Sequence, residues 1–289
     1  MSLKKIYYAL LIIFSIYVLL DTFLLTDTYK TIDNTTSSSD NIVEEDSFTD
    51  NSYEDDNIKI NIQEYEEYNT KIYVADIELK DSLLLKTAFA NSSYGKNITA
   101  KTSDISEEVN AILAINGDYY GVQESGYVLK NGVIYRNTPA KNREDLVIYE
   151  DGTFEIIEEE KVSLEELLEK GAYNVLSFGP GLIDNESIIV DTNDEVGRAM
   201  ASNPRTAIGY IDDNHIIFVV SDGRTDESEG LSLYQLATFM QKIGCKKAYN
   251  LDGGGSSTMV FNGNIINNPT TNGNKVSERS VSDIVYIGY

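Results

Sequence analysis

RTAIGYIDDNHIIFVVSDG, Arg205 to Gly223, is the stretch on which the fold turns. Two runs rich in Ile, Val, Phe and Tyr flank Asp212-Asp213-Asn214, a set of turn-forming residues. The reading is two strands joined by a tight turn. The same device recurs along the chain: YVLKNGVIYR turns at Asn131-Gly132, LVIYEDGTFEII at Asp151-Gly152 and TMVFNGNIIN at Asn262-Gly263. Asn-Gly suits such hairpins because both turn residues need positive φ. Upstream, IKINIQEY and TKIYVADIEL alternate as strands, so folded structure is expected from about Ile58. Helices are few. SLEELLEKG carries a capping box at Ser163 and Glu166 and a stop at Gly171. LSLYQLATFMQKIG puts Leu233, Leu236, Ala237 and Met240 on one face and ends at Gly244. A short helix is expected over 106–110, with Asp104 as N-cap and Glu107 as its capping-box partner. The class is α+β, with a mostly antiparallel or mixed sheet in a single globular domain over 58–289.

The formal net charge of −24 argues against nucleic acid, and no basic stripe offsets it. One cysteine and one histidine exclude a disulfide framework, a cysteine zinc site and HExxH. At the N-terminus Lys4 and Lys5 precede an apolar run from Ile6 to Leu20, which resumes past Asp21 as Phe23-Leu24-Leu25. No small-x-small cleavage pattern follows. Residues 1–25 read as an uncleaved, transmembrane signal anchor, with the lysines inside and the bulk of the chain outside a bacterial cell membrane. Residues 26–57 are rich in Ser, Thr, Asn, Asp and Glu, with scattered apolar residues and no period. They read as an acidic, disordered tether.

KKAYNL is a further strand, and it delivers the chain to Asp252-Gly253-Gly254-Gly255-Ser256-Ser257. Three glycines at a strand end let something approach the backbone closely. Successive N–H groups in such a turn, with two serine hydroxyls, suit an anion or a densely hydroxylated group. A P-loop is excluded, because no lysine follows the glycines and the next segment alternates like a strand. The spacing also fails the dinucleotide fingerprint. Other strand ends carry similar residues: Asn116-Gly117-Asp118, then Arg205, then Asp222-Gly223-Arg224, then Arg279. Arginine holds phosphate by a two-pronged fork. Paired carboxylates are the usual equipment for cutting a glycosidic bond. Each residue taken singly also fits a turn or a solvated charge; their recurrence at strand ends carries the reading.

These residues resemble the phosphodiester glycosidase family. The similarity runs through AINGDYY, SFGPGLI, NPRTAIGYIDDNHIIFVVSDGR, GLSLYQLATFMQKIGCKKAYNLDGGGSSTMVFNGNIINNP and SERSV, over roughly residues 75 to 289. Bacterial members carry the label of exopolysaccharide biosynthesis. The resemblance implies a hydrolase that cuts between a sugar's anomeric carbon and a phosphodiester oxygen. It places Asp252, Asp222 and Asp118 as catalytic candidates, with Asp252 first. It places Asn116, Arg205, Arg224, Gly253, Gly254, Gly255, Ser256, Ser257 and Arg279 against the substrate. No cofactor is implied; the three aspartates are oxygen donors that a hard cation could use, without a spacing that specifies a metal. The expected partner is a sugar-1-phosphodiester or phosphoglycan of the cell envelope. The alternative reading is a wall-glycan or sugar-phosphate binding module that uses the same pocket without turnover.

Overall fold

The computed structural model describes residues 3–32, 47–191 and 202–289. Arg205–Asp212 and His215–Ser221 form the expected antiparallel pair, with Asn214 at φ 58 in the turn. They lie at the centre of an eight-stranded sheet. Its order is Ser187–Ile188, Gly181–Asp184, Lys247–Asn250, Arg205–Asp212, His215–Ser221, Thr70–Leu79, Ile58–Glu67 and Ser52–Glu54. A second sheet has the order Asn264–Ile265, Met259–Phe261, Leu113–Asn116, Asp283–Ile287 and Leu85–Phe89. Phe154–Glu158, Glu144–Tyr149 and Ala172–Leu176 make a three-stranded sheet. Every pairing among the described strands is antiparallel.

Period-two alternation explains the layers. On His215–Ser221, Ile216, Phe218 and Val220 join a core with Leu113, Ile115, Met259, Phe261, Val285 and Ile287 of the five-stranded sheet. Ile217 and Val219, on the opposite face, join Leu233, Leu236, Ala237, Phe239 and Met240 instead. Four α-helices lie among the described residues: α1 Leu3–Phe23, α2 Thr102–Glu108, α3 Leu164–Glu169 and α4 Leu233–Lys242. Helix α4 therefore covers the outer face of the long sheet. Burying one leucine there is worth about 1.5–3 kcal/mol. Both halves of a capping box form at Ser163 and Glu166 on α3, and again at Ser232 and Gln235 on α4. Gly171 and Gly244 follow these two helices at φ 89 and 98.

Three expectations change. Helix α2 starts earlier than 106, with Lys101 at its N-cap and no side-chain cap bond; Asp104 lies within the first turn. The side chain that meets its N-terminus is remote in sequence: Glu278 accepts from Ser103 N at 3.0 Å and from Ser103 Oγ at 2.6 Å.

Residues 1–25 do contain a helix, but the apolar run between Lys5 and Asp21 is fifteen residues. That spans about 22 Å at 1.5 Å per residue, against about 30 Å of hydrocarbon. No helix among the described residues is long and apolar enough to cross a membrane. The transmembrane reading therefore has no support among the described residues. Asp21 instead pairs with Lys96 at 3.2 Å.

The tether reading fails at both ends of 26–57. Asp27–Thr31 pairs with Ser93–Lys96, and Ser52–Glu54 pairs with Ile58–Glu67. Tyr53 is buried beside Phe48, which also packs on Phe261. A few well-placed aromatic rings thus order a stretch whose composition is polar. Residues 33–46 lie outside the described residues.

Candidate functional site

Lys247–Asn250 of the long sheet and Leu113–Asn116 of the five-stranded sheet end side by side. Asp252 N donates to Gly117 O at 3.3 Å, and Asn116 Nδ2 donates to Asp252 O at 2.6 Å. Asn116 Oδ1 accepts from Thr206 Oγ1 at 2.8 Å and from Thr258 N at 3.2 Å. Asn116 is fully buried. It clasps the two sheets and so fixes where Asp252 stands.

Arg279 lies over Asp252. Its Nη2 donates to both carboxylate oxygens, at 3.1 and 2.8 Å, and its Nε donates to Ser256 Oγ at 2.8 Å. The Asp252 side chain is 11% exposed and that of Arg279 43%, so the pair sits at the surface end of the joined strands. Arg224 reaches the same turn from another loop. Its Nε and Nη2 donate to Asn203 Oδ1 at 3.1 and 2.9 Å, and its Nη1 donates to Thr271 O. Arg205 comes from beneath, buried, with Nε on Leu231 O at 2.8 Å. Three arginines from three segments therefore converge on the glycine run, as the strand-end pattern suggested.

The glycines themselves are required by the protein's own packing. A Cβ on Gly253 would stand 2.9 Å from Pro204 O, and one on Gly254 2.9 Å from Arg224 Nη2; one on Gly255 would collide with Thr271 Oγ1. Gly254 also sits at φ 64. The N–H groups of Gly254, Ser256 and Ser257 donate to the carbonyls of Pro204, Gly253 and Gly254. These three amides are spent within the turn, which leaves fewer N–H groups for the expected nest.

The other two aspartates are held by protein donors. Asp222 Oδ1 accepts from Asn268 N at 2.8 Å, and Oδ2 from Asn268 Nδ2 at 3.0 Å and Tyr73 Oη at 3.3 Å. Asn267 Nδ2 spans to it at 3.4 Å while donating to Ser257 O at 2.9 Å. Asp222 thus anchors the loop behind the glycine run. Burial, then the Asp222 charge, raises the Tyr73 phenol above its usual range.

Asp118 points away from the opening into a buried charge cluster. Its Oδ2 accepts from Lys130 Nζ at 2.9 Å and Ser177 N at 3.0 Å, and its Oδ1 from Tyr120 N at 3.1 Å. Lys130 also donates to Asp283 Oδ2 at 2.8 Å, while Asp283 Oδ1 has no partner. Burial, then the charge of Asp118, pushes the Asp283 carboxyl up to about 8. Burial works against the Lys130 charge, but the two carboxylates keep its pKa above the usual lysine value. Lys130 and Asp283 escaped the motif reading. Alternation held the signal: Lys130 shares a face with buried Val128, and Asp283 with buried Val285 and Ile287. Among the described residues no group of three or more His, Cys, Asp or Glu is placed to hold a metal ion.

Joined antiparallel sheets thus carry an aspartate–arginine pair at their common end, with two more arginines around it. Residues 109–288 match the phosphodiester glycosidase family, and the chain belongs to it. All the strand-end residues described above fall inside that span. The chain is 29% identical over 241 residues to the SPbeta prophage-derived protein YomE of Bacillus subtilis, covering 78% of this chain and 36% of that protein. It is 26% identical over 185 residues to mouse N-acetylglucosamine-1-phosphodiester alpha-N-acetylglucosaminidase, covering 59% of this chain and 36% of that one. The matches thus span little more than a third of either relative's length. The catalytic domain of the zebrafish N-acetylglucosamine-1-phosphodiester alpha-N-acetylglucosaminidase superposes with a TM-score of 0.65 at 20% identity, over 92% of this chain and 89% of that one. That likeness establishes the fold.

Proposed function

We propose that the protein is an extracytoplasmic hydrolase that cuts the anomeric C–O bond of a sugar-1-phosphodiester in an envelope or exopolysaccharide glycan. The N-acetylglucosamine-1-phosphodiester kind is the first substrate to try. One observation carries the reading: of the three aspartates at the strand ends, Asp252 alone faces an arginine that is itself half exposed. Water supplies the new oxygen on the anomeric carbon, the C–O bond to phosphate breaks, and the phosphomonoester leaves. Asp252 takes the water's proton or attacks the carbon itself, and the configuration of the released sugar tells which. Phosphate is a good leaving group, so its negative charge needs stabilising more than it needs a proton. Arg279, Arg224 and Arg205 supply that charge. Export rests on Lys4 and Lys5 ahead of the apolar run.

The purified protein should release free sugar and a phosphomonoester from an N-acetylglucosamine-1-phosphodiester. Asp252→Asn, close to isosteric, should lose turnover by a factor of a thousand or more while melting near the parent temperature. Near-normal turnover in that variant removes Asp252 from the mechanism. A non-catalytic glycan-binding module is the second reading, favoured by the Arg279 contacts that already neutralise Asp252. It predicts binding of sugar-1-phosphodiesters with no release from any of them.

A further inference from the structure

On the far side of the Asn116-Gly117-Asp118 loop lies a cavity of 230 Å³, lined by Tyr29, Tyr94, Tyr120, Lys96, Glu124 and Arg136 among others. Its rings form one cluster. Tyr94 stacks on Tyr120 at 5.5 Å between centroids, and Tyr29 meets Tyr94 at 5.8 Å. Tyr29 is 62% exposed, so the aromatic wall reaches solvent. The polar groups are less ordinary. Arg136 is fixed by main-chain carbonyls: Nε donates to Gly126 O at 2.7 Å, and Nη1 to Tyr120 O and Gln123 O. Its Nη2 is buried with no partner in hydrogen-bonding geometry, although the Tyr94 hydroxyl lies beside the guanidinium. Among the described residues no carboxylate forms an ion pair with it, although the chain carries 47 acidic residues against 23 basic ones. Lys96, by contrast, is matched by Asp21. The Tyr120 hydroxyl is likewise buried and unpartnered, although the ring is almost wholly enclosed. The backbone of Gly95 lies close to it but outside hydrogen-bonding geometry.

We propose that this cavity binds one anionic sugar unit, a pyranose bearing a carboxylate or a phosphate, at a site separate from Asp252. Each feature selects for that chemistry. Arg136 has only neutral hydrogen-bond partners, so its charge is open to an acid group even with Glu124 in the lining, and the two donors without a partner in hydrogen-bonding geometry call for acceptors. Aromatic walls with a few polar groups are the common lining of small-molecule sites. A volume below the roughly 300 Å³ of drug-sized pockets limits the occupant to a single ring. Such a site gives an enzyme acting on a polymer a second hold on an acidic chain, and it makes no demand on how Asp252 works.

The test is equilibrium binding of glucuronate, glucose 6-phosphate and glucose to the intact protein. It is run on the parent and on Asp252→Asn, Tyr120→Phe and Arg136→Met. At least one of the two anions should bind at least tenfold tighter than glucose, and the tighter one identifies the acid group. Binding should persist in Asp252→Asn, weaken at least threefold in Tyr120→Phe and at least tenfold in Arg136→Met. Arg136 also ties down the 120–126 loop, so if that variant fails to fold, Tyr120→Phe decides. Three results overturn the proposal: no binding of either anion, as when ordered water alone fills the cavity; equal binding of glucose; or anion binding untouched by Tyr120→Phe. Hydrolysis at Asp252 is read separately, so it can stand or fall without this site.

Discussion

Gly254 has two independent reasons to lack a side chain. Its φ of 64 costs any L-residue about 1–2 kcal/mol. A Cβ would also press the Arg224 guanidinium from 2.9 Å. Gly254→Ala should therefore lower stability by about that amount and raise the KM for a sugar-1-phosphodiester, since Arg224 must move. A thermal melt and a substrate titration check the two effects; an unchanged KM would detach Arg224 from substrate binding. Arg279→Lys tests the other side of the turn. Lysine keeps the charge but cannot hold both Asp252 oxygens and Ser256 Oγ at once. The expected loss in kcat/KM is about 30- to 100-fold, or roughly 2–3 kcal/mol, for one charged group that ties Asp252 to Ser256. A loss below threefold would leave Arg279 only a surface charge. At this scale much was legible. Aspartates, arginines and glycines recur at predicted strand ends, and a strand end is where a polar side chain can leave the core. Which aspartate is spoken for was not legible, because Asn268 and Lys130 lie 46 and 12 residues from the carboxylates they engage.

Hairpins and helix caps were readable because their chemistry is local. Asn131-Gly132 and Asn262-Gly263 take positive φ at both residues, and Ser163 and Glu166 bond each other across three positions. The start of α2 was misread because its N-terminus is met by Glu278, a residue no local pattern can supply. The buried cluster of Asp118, Lys130 and Asp283 belongs to the same class of remote partnership. It staples the hairpin strand Val128–Lys130 to the last strand Asp283–Ile287, through groups almost wholly shielded from water. Lys130→Met removes the only cation that touches both carboxylates in this cluster. Breaking one partner of a buried ion pair typically costs about 3–5 kcal/mol. Chemical denaturation of Lys130→Met should show a loss of that size at neutral pH, partly recovered when Asp118, the carboxylate left without its cation, is also changed to Asn. A loss below 1 kcal/mol would show that the cluster adjusts by taking up a proton.

The whole molecule carries a large negative charge, and its N-terminal third shows what composition cannot decide. A polar stretch was read as a spacer, yet Tyr53 and Phe48 dock it and Asp27–Thr31 adds a strand at the edge of Ser93–Lys96. Long-range pairing, which no local pattern reports, made the difference. Charge sets the response to pH. An unfolded aspartate titrates near 4, whereas the Asp283 carboxyl is pushed up to about 8, by burial first and the Asp118 charge second. Asp145 is raised in the same direction, by burial first and the Glu159 charge second. A raised acid binds its proton more tightly in the folded chain, so its contribution to stability is complete below pH 4. That contribution drains away as pH climbs towards 8. Self-repulsion in a chain of net charge −24 grows over the same range. Asp55 and Asp151 are lowered, so what they contribute is lost only as pH falls below the unfolded carboxylate range. Stability should therefore fall steadily from pH 5 to pH 8. Replacing Asp283 with Asn separates the specific cause from the general one, because it removes the raised carboxyl and changes the total charge by at most one unit. Denaturation midpoints of the two proteins should be furthest apart at pH 5, favouring the parent, and should converge or cross by pH 8. Parallel pH profiles would mean that Asp283 is ionised throughout, with Lys130 neutralising it fully.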